Sequence, residues 1–538
     1  MEKKPTRIII AIFLTGLLLR IIALFRSPLG PDEQIMAVHS FKFIDSLKLS
    51  QINPSPVFFA INDLAIKLFG FGLLSTRMTG LVFGSLSVIM VYLIGEKLFG
   101  EKTGLVASLL FAVSPYAVKW GVIESDMGAV FFVLLSFYFF LKFNESNNSF
   151  KLYLSAVFLG LGFLFKPIAL LVLPVYLVYW FVWKRRLRVG EIKVLAISCF
   201  LFLLVLSPVL IHNYSLYREK GITDIYFARY LDAGYWEGYD GIGGRDDWSF
   251  EKFLRTYQKF AKRFITTDPV TSVLTILGAP FTILSLFILF GSVMTLGFNA
   301  SPTHFLIIVP FMCLIAAMLF RKKGKLLFVT ISVLILVSFV MSGVGFMSDN
   351  PSGELRSFVK NIPDDSLIIV DPVIYNGLSN YAFIDKRFIT GIEVMQMQEE
   401  TSGSGVAETG VYYVECSKST CLTSTKEYDA LKELSIFMTD RTKEYSDLVK
   451  TIEGDEYGFK VYKIRPREVY KVFIDKAETP RDFFYYQVGY SEDDYDNYQR
   501  GLLHYIGLII LWIDVLLALL SPIIVWRALR CSTKTMKN

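Results

Sequence analysis

Long apolar runs recur along most of the chain, and short polar segments separate them. Such runs occupy about residues 8–25, 75–95, 105–119, 127–143, 152–165, 167–183, 194–211, 304–320, 326–346 and 502–525. The stretch 268–299 is long for one crossing of a bilayer and favours two short, tilted crossings. Because a membrane-spanning helix needs roughly 20 apolar residues, the pattern predicts an α-helical polytopic membrane protein with about twelve transmembrane helices.

Composition and charge agree with this pattern. Of the 538 residues, 53% are hydrophobic and 19% are charged, and the mean hydropathy is +0.47. Such a chain has more apolar surface than one soluble core can bury. The net charge of +6 is small and scattered, which argues against a nucleic-acid partner. Basic residues before the first run and at 184–188 predict the cytoplasmic side, so the loops near 26–33 and 120–126 are predicted to face outside.

A polar region, residues 348–500, precedes the last apolar run. A helical pattern at 354–361 and strand-like runs at 366–370, 410–414 and 458–464 predict a small extracytoplasmic α/β domain with a binding or docking role. The predicted organisation is therefore a transmembrane module at 1–347, this domain at 348–500, and a final helix with a basic cytoplasmic tail at 501–538. Within the polar region, Cys416 and Cys421 are either a disulfide or two free thiols.

Charged side chains gather at the ends of the predicted spans that face outside. Acidic residues lie in two outer loops and basic residues lie at two span ends: Asp32, Glu33, Glu124, Asp126, Arg77 and Lys166. Acids can deprotonate a hydroxyl nucleophile, and a lysine and an arginine can hold a phosphate. Singly, each has a plain structural explanation, such as a solvated acidic loop or an interfacial cation. Their combination on one side of the bilayer predicts a functional site.

One outer segment has a different periodicity. From about residue 250 to 265, aromatic and aliphatic positions recur at helical spacing, and lysines and arginines lie between them. This pattern predicts an amphipathic helix, either lying on the membrane or packed on protein.

Taken in order, several motifs resemble one family over about residues 8–310. They are Pro31-Asp32-Glu33, Thr76-Arg77-Met78, Ser114-Pro115, Asp126-Met127, the segment Gly162 to Pro167, and His304-Phe305 with Pro310. They resemble the GT-C membrane glycosyltransferases that use polyprenyl-phosphate sugars, in the PMT-type branch of protein O-mannosyltransferases and lipid A aminoarabinose transferases. The segment Asn53 to Pro56 lacks that branch's basic residue and adjacent prolines, and Met36 stands where an aromatic residue often occurs. These departures leave the donor lipid and the sugar open.

The resemblance implies a reaction and residue roles. It implies inverting sugar transfer from a dolichyl- or undecaprenyl-type phosphate to a protein, glycan or lipid acceptor at the outer face. Asp32 would be the catalytic base, with Glu33 and Asp126 beside it in the catalytic site. Lys166 would contact the lipid phosphate, and the other substrate-binding positions would be Arg77, His304 and Glu124. Because the C-terminus has no eukaryotic retention signal, we expect a prokaryotic plasma membrane.

Metal dependence and other function classes stay open at the level of sequence. Asp32, Glu33 and Asp126 have the oxygen ligands that Mg²⁺ or Mn²⁺ prefers, and no nucleotide-binding GxxxxGK[ST] motif is present. A transporter or a flippase for lipid-linked sugars is the main alternative, because Asp514 lies in the middle of the last apolar run. That class usually has an internal repeat, and we find none. A scaffold protein would leave the outer charged residues without a role.

Overall fold

The computed structural model describes most of the apolar part of the chain and part of the polar region. The described residues are 4–27, 31–51, 54–122, 125–177, 189–231, 250–278, 302–320, 351–364, 366–374, 381–390, 410–417, 435–436, 438–440, 442–454, 457–465 and 498–535. The chain divides into two compact units. The first contains Met1–Phe25, Ser40–Phe346 and Tyr495–Asn538, and the second contains Arg26–His39 and Met347–Asp494. The segment with Asp32 and Glu33 thus groups with the second unit, whereas the predicted division placed it in the module 1–347.

The described secondary structure is mostly helical. In chain order the helices are α1 (Lys4–Arg26), α2 (Pro31–Ser40), α3 (Pro56–Phe69), α4 (Leu73–Phe99), α5 (Glu101–Val113), α6 (Pro115–Trp120), α7 (Asp126–Ser146), α8 (Ser149–Phe165), α9 (Val189–Lys220), α10 (Ile225–Leu231), α11 (Phe250–Thr267), α12 (Pro269–Gly278), α13 (Val309–Met318), α14 (Pro351–Val359) and α15 (Leu502–Thr535). Two 3-10 segments, Pro167–Val172 and Pro302–Ile307, lie between them.

Five of the described helices are long and apolar enough to cross a membrane. These spans are Thr6–Arg26, Leu73–Phe99, Asp126–Ser146, Glu191–Lys220 and Leu502–Cys531. Shorter apolar helices are Ser149–Phe165, Pro167–Leu177, Pro269–Gly278 and Phe305–Met318. The protein is therefore an integral membrane protein with several apolar helices. The total of about twelve spans stays a prediction, because the proposed crossings at 279–299 and 326–346 lie outside the described residues.

Helix α7 forms the centre of the first unit and is buried along almost its whole length. It packs against α4 and α8. Rings from all three helices meet there: the Phe83 centroid lies 5.1 Å from that of Phe131 and 5.3 Å from those of Phe132 and Phe165. Aromatic pairs at such distances add about 0.5–1.5 kcal/mol each beyond the burial of their apolar area. This packing fixes the mutual positions of α4, α7 and α8.

Two prolines end helices at the positions that the sequence indicates. Pro115 follows α5, and the Ser114 hydroxyl accepts a hydrogen bond from the Ala117 backbone N–H as α6 begins. Pro167 follows α8, and Lys166 takes an extended backbone conformation before the 3-10 segment. Because proline disfavours helical geometry at the preceding residue, both helices stop there.

The amphipathic pattern at 250–265 is a helix, as predicted: α11 covers Phe250–Thr267. Its position on a membrane stays a prediction. Helix α3 has ten of its fourteen residues buried. It packs against α4, α8 and α15, and its residues Phe58 and Phe59 are fully buried.

The second unit contains a mixed sheet of five described strands. They are β1 (Leu367–Val370), β2 (Arg387–Thr390), β3 (Val411–Cys416), β4 (Ser446–Ile452) and β5 (Phe459–Ile464), in the order β2-β1-β3-β5-β4. Strand β1 pairs parallel with β2 and β3, while β5 pairs antiparallel with β3 and β4. The predicted strands near 366–370, 410–414 and 458–464 are confirmed as β1, β3 and β5.

Helix α14 is joined to the turn before β2 by charged side chains. The buried Arg356 guanidinium donates to both carboxylate oxygens of Asp385, at 2.5 and 2.8 Å, and to the Ala382 carbonyl oxygen. Burial by itself raises the pKa of the Asp385 carboxyl, but the hydrogen bonds and charge of Arg356 outweigh this effect and lower it. Cys416, at the end of β3, is disulfide-bonded, and Cys421 lies outside the described residues.

Candidate active site

An ion pair joins the beginning of α7 to the end of α8. The Lys166 ammonium nitrogen lies 2.5 Å from Asp126 Oδ2, and the two side chains are only 10% and 2% exposed. A carboxylate is favoured at a helix N-terminus and a cation at a helix C-terminus, so both helix dipoles stabilise this arrangement. The structure therefore brings together two of the predicted site residues in a nearly water-free position, where a charge-assisted hydrogen bond is strong.

Glycine makes this ion pair geometrically possible. A Cβ at Gly128, two residues after Asp126, would lie 2.1 Å from Cδ1 of Phe165, the neighbour of Lys166. No side chain fits in that space without displacing the ring. The absence of a side chain at Gly128 thus lets the end of α8 approach α7 until Lys166 reaches Asp126.

Arg77 lies at the same end of the helical bundle. Its guanidinium is fully buried, and Nη1 donates to the carbonyl oxygen of Leu24, near the end of α1, at 2.6 Å. One turn further along α4, a Cβ at Gly80 would lie 2.8 Å from the Gly121 carbonyl oxygen and 2.9 Å from Val122 C. The chain that leads to Asp126 is therefore pressed against the helix that carries Arg77.

Aromatic side chains form a cluster beside this position. The Tyr116 centroid lies 5.1 Å from that of Phe264, which lies 5.1 Å from that of Phe305. The exposed Arg263 guanidinium lies over the half-buried Trp120 ring, 5.1 Å from its centroid. Both Asp126 and Arg263 act on Tyr116 electrostatically. This mixture of rings and charge suits a site that binds a polar substrate with an apolar chain.

Asp268 is a buried acid that the sequence analysis did not select. Its carboxylate accepts hydrogen bonds from the Ser114 hydroxyl and from the Thr271 backbone N–H, and it precedes Pro269 at the start of α12. An aspartate followed by proline before an apolar run is an N-cap signal that could have identified this position. The contact with Ser114 connects α12 to the break between α5 and α6.

The structure describes the other predicted site residues only in part. Asp32 lies in the first turn of α2 and His304 in the segment Pro302–Ile307, but both side chains are outside the described residues. Glu124 is outside them entirely. Glu33 is buried in α2 and belongs to the second unit. The roles of these residues therefore stay predictions.

The described residues do not form a metal centre. Among them, no group of three or more His, Cys, Asp or Glu side chains is placed to hold a metal ion. Asp126 Oδ2 accepts a hydrogen bond from the Lys166 ammonium group. A divalent ion held by Asp32, Glu33 and Asp126 stays a prediction, because the Asp32 side chain lies outside the described residues.

Comparison with known proteins finds a matching family model for part of the chain and solved structures with a similar fold. Residues 53–212 match the model of the dolichyl-phosphate-mannose-protein mannosyltransferase family. No curated protein sequence matches the chain. Among solved structures, the chain is similar to ArnT from Cupriavidus metallidurans bound to undecaprenyl phosphate, with 13% identity and a TM-score of 0.54 over 86% of this chain and 98% of that one.

A second solved structure with the same fold is the Archaeoglobus fulgidus oligosaccharyltransferase tethered with an acceptor peptide. The two chains are 11% identical, with a TM-score of 0.51 over 88% of this chain and 78% of that one. The matched residues 53–212 include Arg77, Asp126 and Lys166. Over residues 53–212 the chain is thus similar to the dolichyl-phosphate-mannose-protein mannosyltransferase family, and it shares the fold of both solved structures.

Proposed function

We propose that the protein transfers a sugar from a polyprenyl-phosphate donor to an acceptor at the outer face of a prokaryotic plasma membrane. The observation that carries this proposal is the buried pair of Asp126 and Lys166 inside the matched segment 53–212. A cation held at a helix end in a dry position suits a lipid phosphate at the membrane boundary. The ArnT relative bound to undecaprenyl phosphate and the oligosaccharyltransferase tethered with an acceptor peptide support a lipid-linked donor and a separate acceptor.

The reaction we propose is a single displacement with inversion at the anomeric carbon. Asp32 takes the proton from a hydroxyl or amide-like nucleophile of the acceptor, and the nucleophile forms a bond to the anomeric carbon. The bond between this carbon and the phosphate oxygen breaks, and its electron pair stays on the departing polyprenyl phosphate. General-base help is typically worth about 10²–10⁴-fold in rate.

The remaining predicted residues have supporting roles in this proposal. Lys166 and Arg77 neutralise charge on the lipid phosphate, and His304 contacts the same group. Glu33 and Asp126 position the base and the nucleophile, and Glu124 contacts the substrate at the second outer loop. Lys166 has to exchange part of its contact with Asp126 for the phosphate, and a flexible four-carbon side chain allows this exchange.

The proposal is tested by measuring the release of free polyprenyl phosphate. Proteoliposomes receive a panel of polyprenyl-phosphate sugars and a crude acceptor extract, with the intact protein or with Asp32→Asn. Release should require acceptor and fall at least about 100-fold in the variant, because an amide cannot take the proton. Asp45→Asn is the matched control, since Asp45 is exposed and pairs only at the surface with Lys67. Near-normal turnover of Asp32→Asn would show that another group is the base.

Metal dependence is tested in the same assay. A divalent ion such as Mg²⁺ or Mn²⁺, held by Asp32, Glu33 and Asp126, is the alternative to catalysis by the organic cations alone. Activity that disappears in chelator and returns with one added metal would establish that ion as a cofactor. Unchanged activity in chelator would support neutralisation by Lys166 and Arg77.

A flippase for lipid-linked sugars is the second candidate, and one observation favours it. Asp514 lies in the span α15 with 1% exposure, and its Oδ2 atom has no hydrogen-bond partner among the described residues. Ionisable groups within membrane spans often serve transport. Movement of intact sugar-lipid across the bilayer, without release of polyprenyl phosphate, would favour this function over transfer.

A further inference from the structure

Arg20 is a buried cation in the first membrane span. It lies within α1, has no solvent exposure, and is among the largest fully buried side chains of the described part. Its Nη1 atom donates to the carbonyl oxygens of Gly16 at 3.1 Å and Ala112 at 3.4 Å. Among the described residues, Nε and Nη2 have no hydrogen-bond partner. No acidic side chain in the described ranges forms an ion pair with it, so its positive charge is not compensated there.

The Arg20 guanidinium and Met127, the residue that follows Asp126, both lie against Gly84 of α4. A Cβ at Gly84 would be 3.0 Å from Arg20 Nε and 3.1 Å from Met127 Cγ, so both side chains occupy the space that this glycine leaves. The Arg20 guanidinium carbon also lies 5.4 Å from the centre of the Phe111 ring. These contacts hold the cation at a fixed place among α4, α5 and the start of α7, close to the candidate site but not exposed to it.

An uncompensated charge at such a place is costly for folding. A buried ion without a counter-ion destabilises a protein, and a hydrophobic side chain of similar size is usually as good or better there. Cation–π contact with Phe111 and two carbonyl acceptors offset only part of this. The positive charge of Arg20 is therefore better explained by a role in the reaction than by a contribution to the stability of the fold.

Charge balance during the proposed reaction identifies that requirement. The sugar donor is a phosphodiester with one negative charge, and Asp126 and Lys166 together are neutral. When the bond from the anomeric carbon to the phosphate oxygen breaks, the departing phosphate monoester gains a second negative charge. Arg77 and Lys166 are the cations proposed to contact the donor before this step, and the second charge develops only during it.

We propose that Arg20 is a positioning residue whose fixed charge stabilises the second negative charge of the departing phosphate through space. It touches neither sugar nor phosphate and acts across Met127 and the Asp126–Lys166 pair. In a low-dielectric interior a unit charge acts over a longer distance than in water, which screens it. This proposal rests on the proposed function, since it needs a phosphate leaving group.

The variants Arg20→Met and Arg20→Lys test it in proteoliposomes. Methionine keeps much of the length without the charge, and lysine keeps the charge without the planar group. We expect Arg20→Met to lower kcat about tenfold and to change KM for the donor less than about threefold, because the interaction strengthens only in the transition state. Arg20→Lys should keep most of kcat, and Leu18→Met, exposed on the same helix, is the control.

Thermal unfolding separates this role from a structural one. Arg20→Met should unfold at the same temperature as the intact protein or higher, although it is slower. If Arg20→Met and Arg20→Lys lowered kcat to the same extent and both lowered the melting temperature, Arg20 would only support the fold. This result would overturn the inference. A rise in KM with unchanged kcat would overturn it too, because Arg20 would then bind the donor before the reaction. If the intact protein releases no polyprenyl phosphate at all, the proposed function itself fails.

Discussion

At the scale of single residues, the ion pair of Lys166 and Asp126 is the best-defined feature of the site. Lys166→Met leaves the Asp126 carboxylate buried without its partner, and removal of one member of a buried pair typically destabilises by about 3–5 kcal/mol. We expect lower thermal stability in detergent together with loss of polyprenyl-phosphate release. The double variant Lys166→Met with Asp126→Asn should recover most of the stability and none of the activity.

A matched control for this variant exists elsewhere in the bundle. Lys97 pairs with Glu145, whose side chain is 58% exposed, so Lys97→Met should cost no more than about 1 kcal/mol and leave activity intact. Equal destabilisation by Lys166→Met and Lys97→Met would contradict the special status of the buried pair.

A second residue-scale prediction concerns Asp224, outside the spans. Burial raises the pKa of its carboxyl to about 6, although hydrogen bonds from Asn213 and from the backbone N–H groups of Phe227 and Tyr226 act in the opposite direction. The carboxyl is therefore easier to protonate in the folded protein than in the unfolded chain, where the pKa is about 3.9. Its stabilising contribution is complete below about pH 4 and is lost as the pH rises through about 6.

Comparison of the intact protein with Asp224→Asn isolates this effect. Because asparagine does not titrate, the melting temperature of the intact protein should fall relative to that of the variant between pH 4 and pH 7. A difference that stays constant over this range would show that Asp224 keeps an ordinary pKa in the folded protein.

At the scale of elements, a close backbone contact between α4 and residues 121–122 determines the position of the segment that precedes Asp126. In Gly80→Ala, the new methyl group would lie 2.8 Å from the Gly121 carbonyl oxygen, so this segment has to move away from α4. Overpacking of this kind costs about 1–3 kcal/mol. We expect lower melting temperature and reduced turnover. Gly501→Ala, which has no neighbour within 4 Å of its Cβ, should be neutral; an equal effect of both would refute this explanation.

The sequence predicts elements that form through interactions between neighbours in the chain better than elements that depend on contacts with residues far along the chain. The breaks at Pro115 and Pro167 and the strands β1, β3 and β5 follow from local chemistry, and all of them are in the structure. Strand β2 was missed because it forms by non-local parallel pairing with β1. Strand β4 was missed because its side chains are mostly exposed, which removes the apolar pattern.

The candidate site shows the same limit. The residue types at Asp126 and Lys166 were predictable from their motifs, but their contact depends on the missing side chain of Gly128. Arg20 was not selected, because a single cation in an apolar run is also typical of an interfacial residue. Only its burial and the lack of an acidic partner in the described ranges distinguish it.

At the scale of the whole molecule, the orientation in the membrane is open to a chemical test. We expect the basic C-terminal end of α15 to be cytoplasmic, and Cys531 is exposed there. In a Cys199→Ser background, a membrane-impermeant maleimide should modify Cys531 only after the cells are permeabilised. Ser357→Cys, exposed on α14, should react in intact cells. Reaction of Cys531 in intact cells would reverse the proposed orientation.

The disulfide at Cys416 has a consequence for how the protein is made. Cys416 ends β3, the strand between β1 and β5, and its backbone N–H donates to the buried Asp371 carboxylate. Disulfides persist in oxidising compartments, whereas nascent chains emerge into a reducing cytosol. In the proposed orientation the second unit lies outside, so the disulfide at the end of this central strand would form only after the segment has been exported. Maturation of the protein would then be coupled to translocation, because copies whose C-terminal half stays inside the cell would lack this bond.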